Sequence, residues 1–140
     1  MNQKGYPIRN LYIVTEKESR RFGDLRDDSC IEAVKLIRDA IKKGRLERLD
    51  AKFGEGDAYY ISIYAEKLCS AILIHDDVRR KSYNYKNTKY ENDETEVELA
   101  GYYFPQMIVC EDKDVLLDII LHYFETGKIH EKYEWFEMDD

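Results

Sequence analysis

The strongest hydrophobic pattern of the chain lies in residues 111–140. Apolar side chains recur there at the three- and four-residue intervals of one helix face, at Val115, Leu116, Ile119, Ile120, Tyr123 and Phe124. Asp112 or Asp114 can cap the start of this helix, and Gly127 stands where a left-handed residue commonly ends one. The pattern predicts a helix that begins near residue 112 and ends at Gly127.

A second amphipathic helix is predicted near the start of the chain. Cys30, Val34, Ile37 and Ile41 follow one another at helical spacing. Asp28 or Ser29 can supply the N-cap, and Gly44 can end the helix.

Elsewhere apolar residues alternate with polar ones or form short uninterrupted runs, as in β-strands. The predicted strands cover residues 8–14, 49–53, 58–64, 68–74, 78–86, 95–104 and 132–137. Residues 15–28 and 87–94 are predicted as loops, and residues 54–56 as a turn. Strands clustered between two helices predict an α+β fold, with a mostly antiparallel sheet of about five to seven strands and two main helices.

Three finer expectations concern single strands. Pro7 before the first strand is compatible with a place at a sheet edge. In the strand at residues 95–104, Val97 and Leu99 should point inward. In the last strand, Trp135 should share one face with Tyr133, and Phe136 should occupy the other.

Composition indicates a single folded domain over residues 1–140. The chain is 44% hydrophobic and 36% charged, which is typical of a soluble globular protein. Its net charge of −7 is unevenly distributed. Residues 1–90 hold 19 Lys and Arg against 14 Asp and Glu, a net of +5, whereas residues 91–140 hold 3 against 15, a net of −12. This asymmetry favours a basic partner for the acidic part, although a solvated acidic surface explains it equally well.

Cysteine usage and the N-terminal residues bear on the compartment. The three cysteines lie far apart and form no C-x-x-C pair, which favours reduced, buried thiols. The first ten residues contain no apolar signal-peptide core, and no run reaches the ~18 apolar residues of a spanning helix. We therefore expect a cytoplasmic protein that does not enter a membrane.

One cluster is a candidate for metal or acid–base chemistry. His75, Asp76 and Asp77 follow an apolar strand, where an imidazole beside carboxylates can be a ligand or a general base. No other residues complete a familiar metal-binding spacing, so ordinary polar residues at a turn are the simpler interpretation. The chain also lacks a G-x-S-x-G motif, a P-loop and a zinc-deaminase motif, and no cofactor is expected.

Residues 79–90 offer an alternative function. Basic residues there interleave with aromatic ones, a composition that suits single-stranded nucleic acid. The neighbouring residues are strongly acidic, however, which favours a charged hairpin facing solvent and no nucleic-acid partner. A further alternative is that the basic side chains of this segment pair with acids of residues 91–98.

The acidic segment at residues 91–98 is a candidate binding surface. Glu94, Glu96 and Glu98 alternate with Thr95 and Val97, so on a strand they would form a row with about 6–7 Å between neighbours. Such a row resembles a phosphate backbone in charge and would fit a basic cleft. A solvated strand face is the alternative interpretation.

A short C-terminal motif resembles a known family. Tyr123, Phe124, Glu125, Thr126 and Gly127, with Trp135 eight residues later, resemble the C-terminal signature of bacterial immunity proteins from polymorphic-toxin and contact-dependent inhibition systems. That family is also marked by a Gly-Gly pair. Gly54 and Gly56 occupy the corresponding region here, but Glu55 separates them.

The resemblance implies a protein without catalytic activity that binds and neutralises one cognate toxin domain. It implies structural roles for the motif residues Gly54, Gly56, Phe124, Gly127 and Trp135. We expect a 1:1 complex with a nuclease or nucleic-acid deaminase that is basic at the contact. The toxin-binding residues are predicted to be Tyr90, Asp93, Glu94, Glu96 and Glu98. The competing hypothesis is a small enzyme or a ligand- or metal-binding domain that uses His75, Asp76 and Asp77.

Overall fold

A computed structural model describes residues 5–55, 59–76 and 79–139. These residues form two α-helices, α1 (Ser29–Lys42) and α2 (Lys113–Thr126). Their strands are β1 (Ile8–Thr15), β2 (Ser19–Asp24), β3 (Leu46–Phe53), β4 (Tyr59–Glu66), β5 (Cys69–Asp76), β6 (Lys81–Tyr85), β7 (Glu96–Leu99), β8 (Tyr102–Pro105), β9 (Val109–Cys110) and β10 (Trp135–Asp139).

Eight of the strands form one sheet. Its order is β10-β6-β5-β4-β3-β1-β2, and β9 pairs with β5 beside β6. Strands β7 and β8 form a separate two-stranded sheet. Every strand pairing in the described residues is antiparallel. The predicted α+β class is confirmed, with one strand more in the main sheet than the predicted upper limit.

Both helices pack against the same face of the main sheet. Register places Leu49 opposite Ile63 and Ile63 opposite Ile72, so their side chains point to one side. These residues belong to one buried cluster with Ile37 of α1 and Ile119 of α2. The amphipathic stripes recognised in the sequence are therefore the surfaces that close the core.

The ends of α2 follow the predicted local chemistry. The Asp112 carboxylate accepts hydrogen bonds from the backbone N–H groups of Asp114 and Val115. Gly127 has φ +70° and donates its N–H to the Tyr123 carbonyl at 2.7 Å. These contacts satisfy backbone groups that a helix terminus leaves without partners.

The start of α1 differs in detail from the prediction. Asp28 occupies the N-cap position, but its side chain makes no capping hydrogen bond. The preceding Asp27 performs this role, because its carboxylate accepts from the Ser29 N–H at 2.9 Å and from the Ser29 hydroxyl at 2.6 Å. These hydrogen bonds also hold the pKa of Asp27 below its ordinary value.

Two predictions for the N-terminal part were wrong. Residues 15–28 were expected to be a loop, yet they contain β2. Within this strand only Phe22 is buried, because an edge strand keeps charged side chains such as Arg21 in solvent and shows little apolar alternation. Strand β1 is consequently not at the edge, since it pairs with β2 on one side and β3 on the other.

Residues 95–104 form a hairpin and not the predicted single strand. Ala100 and Gly101 both have positive φ, +51° and +86°, and reverse the chain between β7 and β8. Two successive residues with positive φ match the twist of a tight antiparallel hairpin. Pro105 ends β8, as predicted for the end of this segment.

The C-terminal strand begins later than predicted. Tyr133 precedes β10, so only Trp135 and Phe136 of the expected alternation are in the strand. Trp135 opposes Tyr85, whereas Phe136 opposes Asn84 and therefore points to the other face of the sheet. Tyr133 and Trp135 nevertheless both pack against the main core.

Candidate functional site

The β7–β8 hairpin has a buried side that holds it on the main sheet. Val97, Leu99 and Phe104 pack around Ala71 and Val109, in a cluster separate from the main core. The predicted inward orientation of Val97 and Leu99 is thus confirmed. This packing fixes the hairpin over the face of the sheet that the helices do not cover.

Aromatic contacts add to this attachment. The ring of Tyr64 lies 4.7 Å from that of Tyr102 and 5.5 Å from that of Phe104, between ring centroids. At the turn, the backbone N–H of Ala100 donates to Glu66 Oε1 at 3.4 Å. The hairpin is therefore tied to β4 as well as to β5.

The other side of the hairpin carries the candidate binding residues. Glu98 lies directly opposite Tyr103, and Glu96 lies two residues before Glu98 on the same face of β7. Both glutamates are exposed, and the side chain of Tyr103 is 64% exposed. Two carboxylates thus flank a large aromatic side chain that the main sheet does not cover.

The predicted carboxylate row is shorter than expected. Strand β7 begins at Glu96, so Glu94 lies outside the strand although it is exposed. The row on the hairpin consists of Glu96 and Glu98. Glu94 lies in the segment that leads into it.

Tyr90 and Asp93 shape that leading segment. The Tyr90 hydroxyl donates to Glu111 Oε2 at 3.2 Å. The Asp93 carboxylate accepts from the Thr95 N–H at 2.9 Å, and this bond holds the pKa of Asp93 below its ordinary value. The Asp93 carbonyl also accepts from the Met107 N–H at 3.0 Å. Both predicted contact residues are therefore engaged within the protein.

His75 and Asp76 do not form the shared site that the sequence allowed. Successive strand residues point to opposite faces, and His75 lies against Tyr60 on the open face with its Nδ1 2.9 Å from Ser82 Oγ. Asp76 points to the helix side and accepts from the Arg79 N–H at 3.1 Å. Asp77 lies outside the described residues. Within the part of the chain that the structure describes, no three His, Cys, Asp or Glu side chains are placed to hold a metal ion.

The basic segment at residues 79–90 is largely paired with acids. Lys81 forms an ion pair with Glu137, Lys86 lies 3.8 Å from Glu91, and Lys89 lies 3.9 Å from a carboxylate oxygen of Glu111. The expected pairing with residues 91–98 is thus found for Lys86. The other two lysines meet carboxylates on β10 and just before α2.

The motif residues lie within the packing of the fold. Phe124 is fully buried and its ring lies 5.7 Å from that of Tyr6. The Trp135 indole donates to the His130 carbonyl at 3.0 Å and meets the edge of Tyr85. Gly54 turns the chain with φ +70°, while Gly56 lies outside the described residues. The described motif positions therefore have structural surroundings, and their membership of a family motif stays a prediction.

A basic and aromatic surface on the open sheet face was not recognised in the sequence. The Arg21 guanidinium lies 4.2 Å from the centroid of the Tyr12 ring, and that of Arg48 lies 4.7 Å from Tyr64. Arg48 also donates to Asp50 at 2.6 Å. The sequence did show charged residues alternating with Leu49 and Ala51, which places the charged side chains on the open face. Which aromatic ring each arginine contacts could not be predicted, because it depends on the register between strands.

Comparisons with known proteins do not assign this chain to a family. A scan against protein-family models, a search of curated proteins and a search of solved structures each return no match. No helix among the described residues is both long and apolar enough to cross a lipid bilayer.

Proposed function

We propose that this chain is an immunity-type inhibitor, a cytoplasmic bacterial protein that binds one cognate toxin domain and covers its active site. The complex has 1:1 stoichiometry, and the inhibitor has no catalytic activity or cofactor. The toxin is a nuclease or a nucleic-acid deaminase, because enzymes of both classes attract an anionic substrate into a basic cleft.

The observation that carries this proposal is the outer face of the β7–β8 hairpin. Tyr103 is among the most exposed large side chains of the described residues, and Glu98 lies directly opposite it. Tyrosines that become buried at the centre of an interface commonly dominate its binding energy. Carboxylates beside such a residue select a basic partner and accelerate the encounter.

The attachment of the hairpin also supports a binding role. Its inner side chains, among them Leu99 and Phe104, are packed on the sheet, so the backbone that carries Glu96, Glu98 and Tyr103 is already ordered. An ordered surface loses less conformational entropy on association than a mobile loop. Glu94, exposed just before β7, extends the acidic surface along the chain.

The resemblance around Gly127 and Trp135 supports the class of partner. These residues pack inside the fold and are remote in sequence from the hairpin. In such inhibitors the motif maintains the fold, and exposed side chains elsewhere select the toxin.

The proposal is tested with the toxin domain encoded beside this protein. The two are co-expressed, the complex is purified, and toxin activity is titrated with the inhibitor. We expect a 1:1 complex that abolishes the activity. The double charge reversal Glu96→Lys with Glu98→Lys should weaken binding by on the order of a hundredfold, since each lost and reversed contact costs about a factor of ten.

Glu16→Lys with Glu125→Lys is the matched control. These two glutamates are also exposed but lie in other elements. This variant has the same net charge as the hairpin variant and should retain full affinity. If both variants weaken binding equally, only the overall charge matters and the hairpin assignment is wrong. Absence of any complex would refute the inhibitor function itself.

A further inference from the structure

A cleft of about 590 Å³ lies on the helix side of the sheet, far from the hairpin residues in sequence. Its walls come from β5 and β6 on one side and from the end of α2 with the following loop on the other. Ligand sites in proteins commonly have volumes of about 300–1,000 Å³. The cleft is therefore large enough for a small molecule.

Cationic residues are concentrated at this cleft. Residues 91–140 contain three lysines, and two of them, Lys128 and Lys132, line it. Arg79 lines it from the opposite wall. Among the described lining residues, the carboxylates of Asp76 and Glu131 stand against these three cations, which gives a net formal charge of +1 when the imidazoles are counted as neutral. A net positive lining on a chain whose overall charge is −7 favours an anionic ligand.

The two walls hold their polar groups in defined positions. Asp76 accepts from the Arg79 N–H at 3.1 Å and lies 3.6 Å from Arg79 Nε, while the Arg79 side chain remains 63% exposed. Asp76 thereby orients the guanidinium. Lys128 and Lys132 have no ion-pair partner among residues 5–55, 59–76 and 79–139.

Two histidines, His122 and His130, line the cleft and differ in the hydrogen bonds of their rings. The His130 ring accepts at Nδ1 from the Lys132 N–H at 3.3 Å, and its Nε2 lies 3.3 Å from Asp118. The His122 ring stacks on it with centroids 4.3 Å apart. No hydrogen bond to the His122 ring nitrogens exists within the described part of the chain, so this imidazole can bond a ligand.

We propose that this cleft binds a small phosphorylated molecule through Arg79, Lys132 and His122. These three groups reach the cleft from a turn, a loop and a helix. A phosphate offers three terminal oxygens to donors from separate directions, whereas a carboxylate offers two oxygens in one plane. Ile74, Tyr83 and Ile129 line the remaining space and accommodate an apolar or planar group attached to the phosphate. This site is independent of the proposed toxin contact.

The test uses the purified full chain with three probes: inorganic phosphate, phenyl phosphate and benzoate. Calorimetric titration should show phosphate binding, with phenyl phosphate bound about tenfold more tightly because its ring contacts the apolar lining. Benzoate, which has the ring but only a planar carboxylate, should bind about tenfold more weakly than phenyl phosphate. In NMR spectra, phosphate should shift the His122 imidazole signals.

Variants locate the binding site. Arg79→Gln and Lys132→Gln should each weaken phenyl phosphate binding about tenfold or more. Lys113→Gln removes the one lysine of residues 91–140 that does not line the cleft, and it should leave binding unchanged. The proposal is overturned if phosphate and phenyl phosphate do not bind, if the Arg79 and Lys132 variants bind as well as Lys113→Gln, or if benzoate binds as tightly as phenyl phosphate. None of these outcomes depends on a toxin.

Discussion

Gly127 and Phe53 approach each other so closely that residue 127 has no space for a side chain. A Cβ atom at this position would lie 2.5 Å from Cδ1 of the Phe53 ring. The same ring meets the edge of Tyr123 with centroids 6.0 Å apart. The glycine that ends α2 therefore also allows the helix to pack directly on β3.

Gly127→Ala should lower the free energy of unfolding by roughly 2–5 kcal/mol. Part of this loss, about 1–2 kcal/mol, comes from the left-handed backbone conformation at φ +70°. The rest comes from the displacement of Phe53, since overpacking a well-filled site costs about 1–3 kcal/mol. Urea denaturation measures the change.

Gly54→Ala separates these two causes. Gly54 also has φ +70°, but an added Cβ would meet no atom of the described residues within 4 Å. Its substitution should cost only the conformational part, about 1–2 kcal/mol. Equal losses for the two variants would mean that the contact with Phe53 contributes nothing.

Ala100→Asn should stabilise the β7–β8 hairpin by about 0.5–1 kcal/mol. Ala100 has φ +51°, a conformation that asparagine adopts more readily than alanine, and the following residue is the Gly101 of the turn. Ala100→Val should have the opposite effect, because β-branched residues disfavour positive φ. Hydrogen exchange at the backbone amides of Val97 and Leu99 measures the local change. Slower exchange in the valine variant than in the asparagine variant would contradict this account of the turn.

Stability should decline in alkaline solution because of two groups at β9, the buried Cys110 thiol and the half-buried Tyr85 hydroxyl. Burial raises the pKa of the Cys110 thiol from 9.0 to about 11 and that of the Tyr85 hydroxyl from 10.0 to about 12. The folded state therefore holds these protons more tightly than the unfolded state. Their contribution to stability is fully present below about pH 9 and is lost as the pH rises through the window from 9 to 12.

Tyr85→Phe removes one of these groups. Its urea midpoint should fall less steeply with pH between about 10 and 12 than that of the unsubstituted protein. Tyr103→Phe removes the same hydroxyl group from an exposed tyrosine and is the matched control. An unchanged slope for Tyr85→Phe would show that the half-buried phenol does not drive the alkaline loss.

Both helices and the two ends of α2 could be predicted because their signals are local. The stripe from Val115 to Phe124, the Asp112 cap and Gly127 all lie within one stretch of chain. Strand β2 could not be recognised in this way, because its sequence is mostly charged and shows no apolar alternation. Its position is determined by pairing with β1, where Phe22 lies opposite Leu11. The hairpin was missed for a different reason: the Ala100–Gly101 turn interrupts an alternation that continues on both sides of it.

For the candidate binding site, the sequence identified the acidic segment but not its presentation. Which of its carboxylates share a face with Tyr103 depends on where β7 begins and on its register with β8. The phosphate cleft was not predictable at all. Arg79 lies more than forty residues before His122 and Lys132 in the sequence, and the three meet only when β5, β6 and α2 have packed.

The sequence by itself determined the α+β class, both helices, the caps of α2 and most of the core-facing residues, because periodicity and capping act between residues a few positions apart. Only the tertiary structure decided the strand order, the separation of His75 from Asp76 onto opposite faces, and the surfaces that remain open to a partner. These features depend on strand register and on pairing between distant segments. A register shift of one residue would turn every side chain of a strand to the opposite face of the sheet, although the sequence would be the same.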